Sequence, residues 1–234
     1  MNKTAVITGG TKGIGKAIIQ KLAQEGFDII TCSRSWDELE ELKAEIEEDA
    51  DVTVHIMRAD LSLRTDTDAF IKTINQTVDR IDILVNNTGV FLPGELTSEP
   101  EGNLELMIQT NLYSAYHLTR GVIDKMKDRK SGDIFNMCSI ASITAYPNGG
   151  SYSISKFAMY GMSKVLREEL KPFGIRVVSV LPGATLTNSW SGIDIPEERF
   201  MKASDVADAV WGAHSLSKNS VVEEIVIRPQ LGDL

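Results

Sequence analysis

Residues Lys3-Thr-Ala-Val-Ile-Thr8 and Gly9-Gly-Thr-Lys-Gly-Ile-Gly15, read together, decide the fold. The first six form a short run rich in β-branched residues. After the glycines, Ile14, Ile18 and Leu22 recur every fourth residue, an apolar helical stripe that ends at Gly26, a suitable C′ residue. Glycines between a strand and a helix permit positive φ and let backbone N–H groups and the helix N-terminus approach a pyrophosphate. The same turn also serves as a tight connection in any α/β protein. Its spacing, Gly9, Gly13 and Gly15, departs from Gly-x-Gly-x-x-Gly, and the Gly-Lys-Ser/Thr ending of a P-loop is missing.

Working outward, six more short apolar runs follow: Phe27–Cys32, Val52–Arg58, Ile81–Asn86, Asp133–Cys138, Ile175–Leu181 and Glu224–Arg228. Helical patterns separate them, over Trp36–Asp51, Thr65–Arg80, Asn103–Lys127, Tyr152–Lys171 and Ser204–His214. This alternation predicts an α/β chain with a parallel seven-stranded sheet and crossover helices. Ile83-Leu84-Val85 and Val177-Val178-Ser179-Val180 are nearly continuous in apolar character, as strands covered on both faces are. No repeat or Pro/Gly-rich linker interrupts the pattern, so residues 1–234 read as one domain.

The net charge of −9, from 24 Lys and Arg against 33 Asp and Glu, argues against nucleic acid as a main partner. The acidic density of Trp36–Asp51 reads as a solvated helix face. Only two cysteines occur, Cys32 and Cys138, outside any Cys-x-x-Cys or Cys/His cluster, so neither a disulfide framework nor a metal site is expected. The N-terminal apolar run is too short for a signal peptide. The uncharged stretch Ile134–Ser155 carries Pro147, Gly149 and Gly150, which rules it out as a membrane span. A cytoplasmic protein with no membrane partner is the expectation.

The second strand runs out at Thr31-Cys32-Ser33-Arg34 with no acid at its end. In dinucleotide folds an acid there binds the adenosine ribose 2′-hydroxyl, whereas an arginine accommodates a 2′-phosphate. Ser33 offers a hydrogen bond, Arg34 a guanidinium fork, and Lys12, beside Thr11 in the glycine turn, a second positive charge. Each basic residue alone reads as a solvated surface charge. Their placement at two converging turns points to NADP(H).

Tyr152 and Lys156, in Tyr-Ser-Ile-Ser-Lys, stand one helical turn apart on one face. A tyrosine with its ordinary pKa of about 10 is a poor proton shuttle at neutral pH. An ammonium about 5 Å away would favour the phenolate by roughly 3 kcal/mol, or about two pKa units. The expectation is therefore a tyrosine lowered toward useful acid/base strength.

Ser139 lies thirteen positions before Tyr152, and Asn111 sits in Gln109-Thr-Asn-Leu112. Together with Thr8–Gly15, Asn86-Asn-Thr-Gly89, Tyr152-x-x-x-Lys156 and Pro182-Gly-x-x-x-Thr187, these motifs resemble the short-chain dehydrogenase/reductase family, from Lys3 to about Asp205. The resemblance implies a Rossmann-type, doubly wound parallel sheet with helices on both faces, and hydride transfer between a nicotinamide and a carbonyl or alcohol substrate. It implies that Tyr152 protonates the forming alkoxide and that Ser139 holds the carbonyl oxygen. Lys156 would lower the tyrosine pKa and bind the nicotinamide ribose, and Asn111 would carry a water relay. Implied cofactor contacts are Gly9, Gly13, Ile14, Gly15, Asp60, Leu61, Asn87, Gly89, Pro182, Gly183, Thr185 and Thr187. Asp60 reads equally well as a simple turn aspartate. Thr88 and Cys138 depart from the alanine and serine usual in the family, and Cys138 reads as a small buried residue. A homotetramer or dimer through Asn103–Lys127 and Tyr152–Lys171 is implied as well.

Residues 188–203 stand where the family places a substrate-covering segment, here short and carrying Trp190 and Phe200. Tyr146 and Asn148 are further candidates for the pocket. The C-terminus lacks the glycine pair common in 3-oxoacyl-carrier-protein reductases, so a 3-oxoacyl thioester is one substrate option among carbonyl compounds. A nucleotide-binding sensor on the same fold is the alternative to an enzyme; it would need no intact catalytic set.

Overall fold

A computed structural model describes residues 2–187 and 195–233. Seven strands form one all-parallel sheet: β1 (Lys3–Thr8), β2 (Phe27–Ser33), β3 (Val54–Arg58), β4 (Ile83–Asn86), β5 (Gly132–Met137), β6 (Ile175–Pro182) and β7 (Glu224–Ile227). Their spatial order is β3-β2-β1-β4-β5-β6-β7. Adjacent β1 residues point to opposite faces, as the pleat requires. Ile7 packs in a core with Ile18, Leu22, Val180 and Val210, while Val6 packs in a second core with Phe70, Leu118, Ile134 and Val177.

The first core is covered by α1 (Gly13–Gln24), α2 (Trp36–Asp49) and α8 (Ala203–Ser215), the second by α3 (Arg64–Thr77), α5 (Ser114–Val122) and α7 (Gly150–Leu170). The sheet is thus doubly wound with helices on both faces, as expected. Strand and helix bounds shift from the expected ones by a few residues where chain ends leave the ladder.

Two expectations need correction. The pattern over Asn103–Lys127 is not one α-helix: α4 (Asn103–Ile108) gives way to a π-helical turn at Gln109–Tyr113 before α5, and α6 (Asp124–Lys127) follows. A π turn inserts one extra residue and re-aims the side chains within it, here Asn111. The acidic face of α2 is also more than a solvated surface. Glu45 Oε2 lies 2.7 Å from Lys16 Nζ, Glu47 accepts from Val54 N at 2.8 Å, and Glu38 reaches the glycine turn.

Candidate active site

The strand order reverses between β1 and β4, so their C-terminal ends open a crevice. Thr8 Oγ1 accepts from the backbone N–H groups of Asn87 and Thr88, each at 3.0 Å. Asn87 Nδ2 donates to Thr8 O at 2.8 Å and to Gly9 O at 3.1 Å, tying the loop after β4 to the glycine turn. Gly9 and Gly13 have φ of +66° and +53°, and a Cβ on Gly15 would lie 2.3 Å from Gly9 O, so only glycine fits there. A turn this tight at a helix N-terminus has the cradle shape that a pyrophosphate needs.

A cavity of about 720 Å³ runs from this crevice along the C-terminal ends of the central strands. Ser139, Tyr152 and Lys156 line it, with Ile14, Asn87 and Gly89 on the side of the glycine turn. Pro182, Gly183, Thr185 and Thr187 close it beyond β6. Tyr146 also lines the cavity, whereas Asn148 lines a neighbouring one. Trp190 and the rest of residues 188–194, the first part of the expected covering segment, lie outside the described residues. Phe200 precedes Met201, whose backbone pairs with Ala184 and Leu186.

Ser139 N-caps a short 3₁₀ turn, Ile140–Ser142; its hydroxyl accepts from Ala141 N at 3.1 Å while its backbone N–H donates to Ser142 Oγ. This fixes the serine after β5. Tyr152, in the first turn of α7, packs edge-on against Phe91 with ring centroids 4.8 Å apart. Burial pushes the Tyr152 phenol above its ordinary range, and a side-chain hydrogen bond with Ser139 opposes that shift without cancelling it. Lys156 is 5 % exposed, and its Nζ donates to Met137 O at 2.8 Å. Burial lowers its pKa to about 8. Its Nζ is 5.7 Å from the Tyr152 ring centroid. The expected lowering of the tyrosine is therefore absent in the protein alone: desolvation outweighs the Ser139 hydrogen bond, and the Lys156 ammonium is directed to a carbonyl.

Asn111 does not line the cavity. It is 1 % exposed behind it, accepting from Val90 N at 2.7 Å and donating to Val90 O at 3.0 Å and Ser155 Oγ at 2.9 Å. The π turn thus clamps the loop after β4 to α7. Asp60 follows β3, where its carboxylate accepts from Ser62 N and Ser62 Oγ, so the turn role is the one seen; Leu61 is buried in the second core. Cys32 and Cys138 are free and buried, with thiols pushed up to about 12 and about 11 by desolvation, as inert small residues are.

The sequence reading missed Phe91 and Glu38. Glu38 lies 2.6 Å from Lys12 Nζ and accepts from Thr11 Oγ1 at 3.0 Å, and Thr11 Oγ1 is 3.1 Å from Ser33 Oγ. The basic site formed by Lys12 and Arg34 therefore contains an acid, supplied by α2 rather than by the end of β2. The spacing Ser35-x-x-Glu38 marks a helix start and could have drawn attention to it.

Residues 3–197 match the family model described as short chain dehydrogenase. An uncharacterized oxidoreductase of Staphylococcus epidermidis is 30% identical over 227 residues, 97% of each chain. Among solved structures, an alcohol dehydrogenase from the archaeon Thermococcus sibiricus, complexed with 5-hydroxy-NADP, superposes with a TM-score of 0.91 at 29% identity over 97% of both chains. The L-sorbose reductase of Gluconobacter frateurii, complexed with NADPH and L-sorbose, gives 0.90 at 26% identity over 97% of this chain and 95% of that one. The family match takes in the glycine turn, the Asn86–Gly89 loop and the Ser139, Tyr152 and Lys156 cavity in one continuous span, and the chain belongs to the short chain dehydrogenase family.

Proposed function

We propose that the protein is an NADP(H)-dependent carbonyl reductase of small-molecule ketones or aldehydes. The observation that carries this reading is the convergence of Ser139, Tyr152 and Lys156 on one cavity that continues into the glycine turn. The turn, the Asn87–Gly89 loop and the Pro182–Thr187 segment would hold the cofactor's pyrophosphate and nicotinamide ends, and Lys12, Ser33 and Arg34 its 2′-phosphate. When bound, the nicotinamide supplies the hydride.

Ser139 holds the substrate oxygen by a hydrogen bond. Tyr152, kept protonated at neutral pH by burial, gives its proton to the oxygen as negative charge develops. Lys156 brings positive charge beneath the site and holds the nicotinamide ribose. Asn111 would hold the water of a proton relay through the second lone pair of its Oδ1, because both its N–H groups and the other lone pair are engaged. The chain works as a single domain, and Tyr146 and Phe91 shape the substrate end. Two free buried thiols suit a reducing cytoplasmic setting. Among the described residues no helix is long and apolar enough to cross a membrane.

The test is NADPH oxidation across 3-oxoacyl thioesters, diketones, ketoses, pterins and simple aldehydes. Turnover with at least one class is expected, with near-complete loss in Tyr152→Phe. Turnover that survives this substitution would refute the proton-donor role.

A further inference from the structure

The first turn of α2 holds a carboxylate that helix capping leaves free for other work. Ser35-x-x-Glu38 has the spacing of a capping box, in which the glutamate turns back to the N-cap backbone N–H. Only half of that box forms. Ser35 Oγ accepts from Glu38 N at 3.4 Å, while Ser35 N donates to Ser33 Oγ at 3.5 Å. The Glu38 carboxylate crosses instead to the glycine turn, with one oxygen on Lys12 Nζ and the other on Thr11 Oγ1. Its carboxyl is held below the usual range, by Lys12 first, then Thr11, with Arg34 contributing charge, so it is ionised at neutral pH. Thr11 in turn contacts Ser33. One anion thus stands among all the side chains assigned to the 2′-phosphate.

We infer, resting on the NADP(H) reading above, that Glu38 is a cofactor-selectivity residue whose carboxylate competes with the 2′-phosphate for Lys12 and Thr11. Lys12 cannot serve both anions at full strength, and carboxylate and phosphate repel at this range. Because the Lys12 and Glu38 side chains are 55% and 33% exposed, the pair opens readily. The repulsion that remains is the larger penalty. An unphosphorylated ribose meets the reverse situation, since a carboxylate accepts a hydrogen bond from a 2′-hydroxyl. Glu38 therefore narrows the preference that Lys12 and Arg34 alone would impose and lets NADH compete.

Calorimetric binding of adenosine 2′,5′-bisphosphate and adenosine 5′-monophosphate to the wild-type chain and to Glu38→Gln tests this without turnover. The amide keeps an acceptor for Thr11 and removes the charge. Glu38→Gln should bind the bisphosphate about tenfold more tightly and the monophosphate no more tightly. Glu38→Ala should move the bisphosphate in the same direction, and matching thermal unfolding curves show that both variants fold. A bisphosphate preference that is present but unchanged by both substitutions overturns the role of Glu38 and leaves the NADP(H) reading standing. Equal affinity for the two nucleotides in every form overturns the NADP(H) reading and the inference with it.

Discussion

Lys156 Nζ donates to the carbonyl of Met137, at the C-terminal end of β5, at 2.8 Å. Helical spacing puts Lys156 beneath Tyr152, but the sheet decides where its ammonium goes. Buried there, it has a pKa of about 8, so its charge is present below that pH and lost above it. Tyr152, raised by burial, stays protonated throughout the neutral range. The reductive kcat/KM should therefore be flat near neutrality and fall with rising pH above about 8, by tenfold per pH unit. Lys156→Arg, permanently charged, should move that limb upward in a pH–rate profile. Lys156→Met should lower kcat/KM by about 10²-fold or more at neutral pH. An unmoved limb in Lys156→Arg would assign the titration to another group.

Arg34 is exposed beside the turn where Glu38 meets Lys12. A guanidinium that contacts a 2′-phosphate distinguishes the two cofactors, whereas one that only tidies the loop after β2 does not. Arg34→Ala should raise the KM for NADPH about tenfold or more and leave that for NADH within about twofold. Equal changes for both cofactors in steady-state kinetics would remove Arg34 from the cofactor site.

The strands were legible because burial on both faces leaves continuous apolar runs such as Ile83-Leu84-Val85, and the glycine turn because its backbone geometry demands a particular residue. The π turn at Asn111 was not legible. One inserted residue barely disturbs an apolar period of 3.6, and its signature is the bond from Asn111 to Val90, which no local spacing encodes. The same holds for Glu38. Its place on α2 could be read, but its reach to Lys12 depends on how β1 and β2 align, Thr8 opposite Cys32. Tyr152 and Lys156 were placed correctly on one helix face, while the direction of the tyrosine shift came out opposite because the sequence carries no measure of burial.

The helices expected to join subunits carry apolar side chains on their outer faces. Leu106, Tyr113, Tyr116, Ile154 and Phe157 are 40% to 45% exposed, and Val165 is 57% exposed. Apolar side chains displayed at this density along adjacent helices suit the expected self-association. The wild-type chain should sediment as a dimer or tetramer. Phe157→Glu should shift it toward monomer at micromolar concentration, because an unpaired charge at a buried interface is disfavoured. A wild-type chain that sediments as a monomer would refute the assignment.

At the opposite end of the sheet from the cavity, Asp133, the second residue of β5, has 1 % of its surface exposed. Arg176 Nε donates to it at 2.7 Å, and His214 Nδ1 lies 2.5 Å away. Burial pushes its carboxyl up, but Arg176 and His214 together outweigh that, and the net shift is downward. Asp82, which pairs with Arg80 and Arg129, is shifted the same way. A carboxylate whose folded pKa is depressed contributes stability that is complete above the unfolded value of about 3.9 and is lost as pH falls through the folded value. Asp133→Asn leaves Arg176 buried without its counter-charge and should cost about 3–5 kcal/mol in urea unfolding at neutral pH. The deficit should shrink as pH falls below about 4, where the wild-type carboxylate is itself being protonated. A deficit that stays constant down to acid unfolding would trace the loss to packing rather than to the charge.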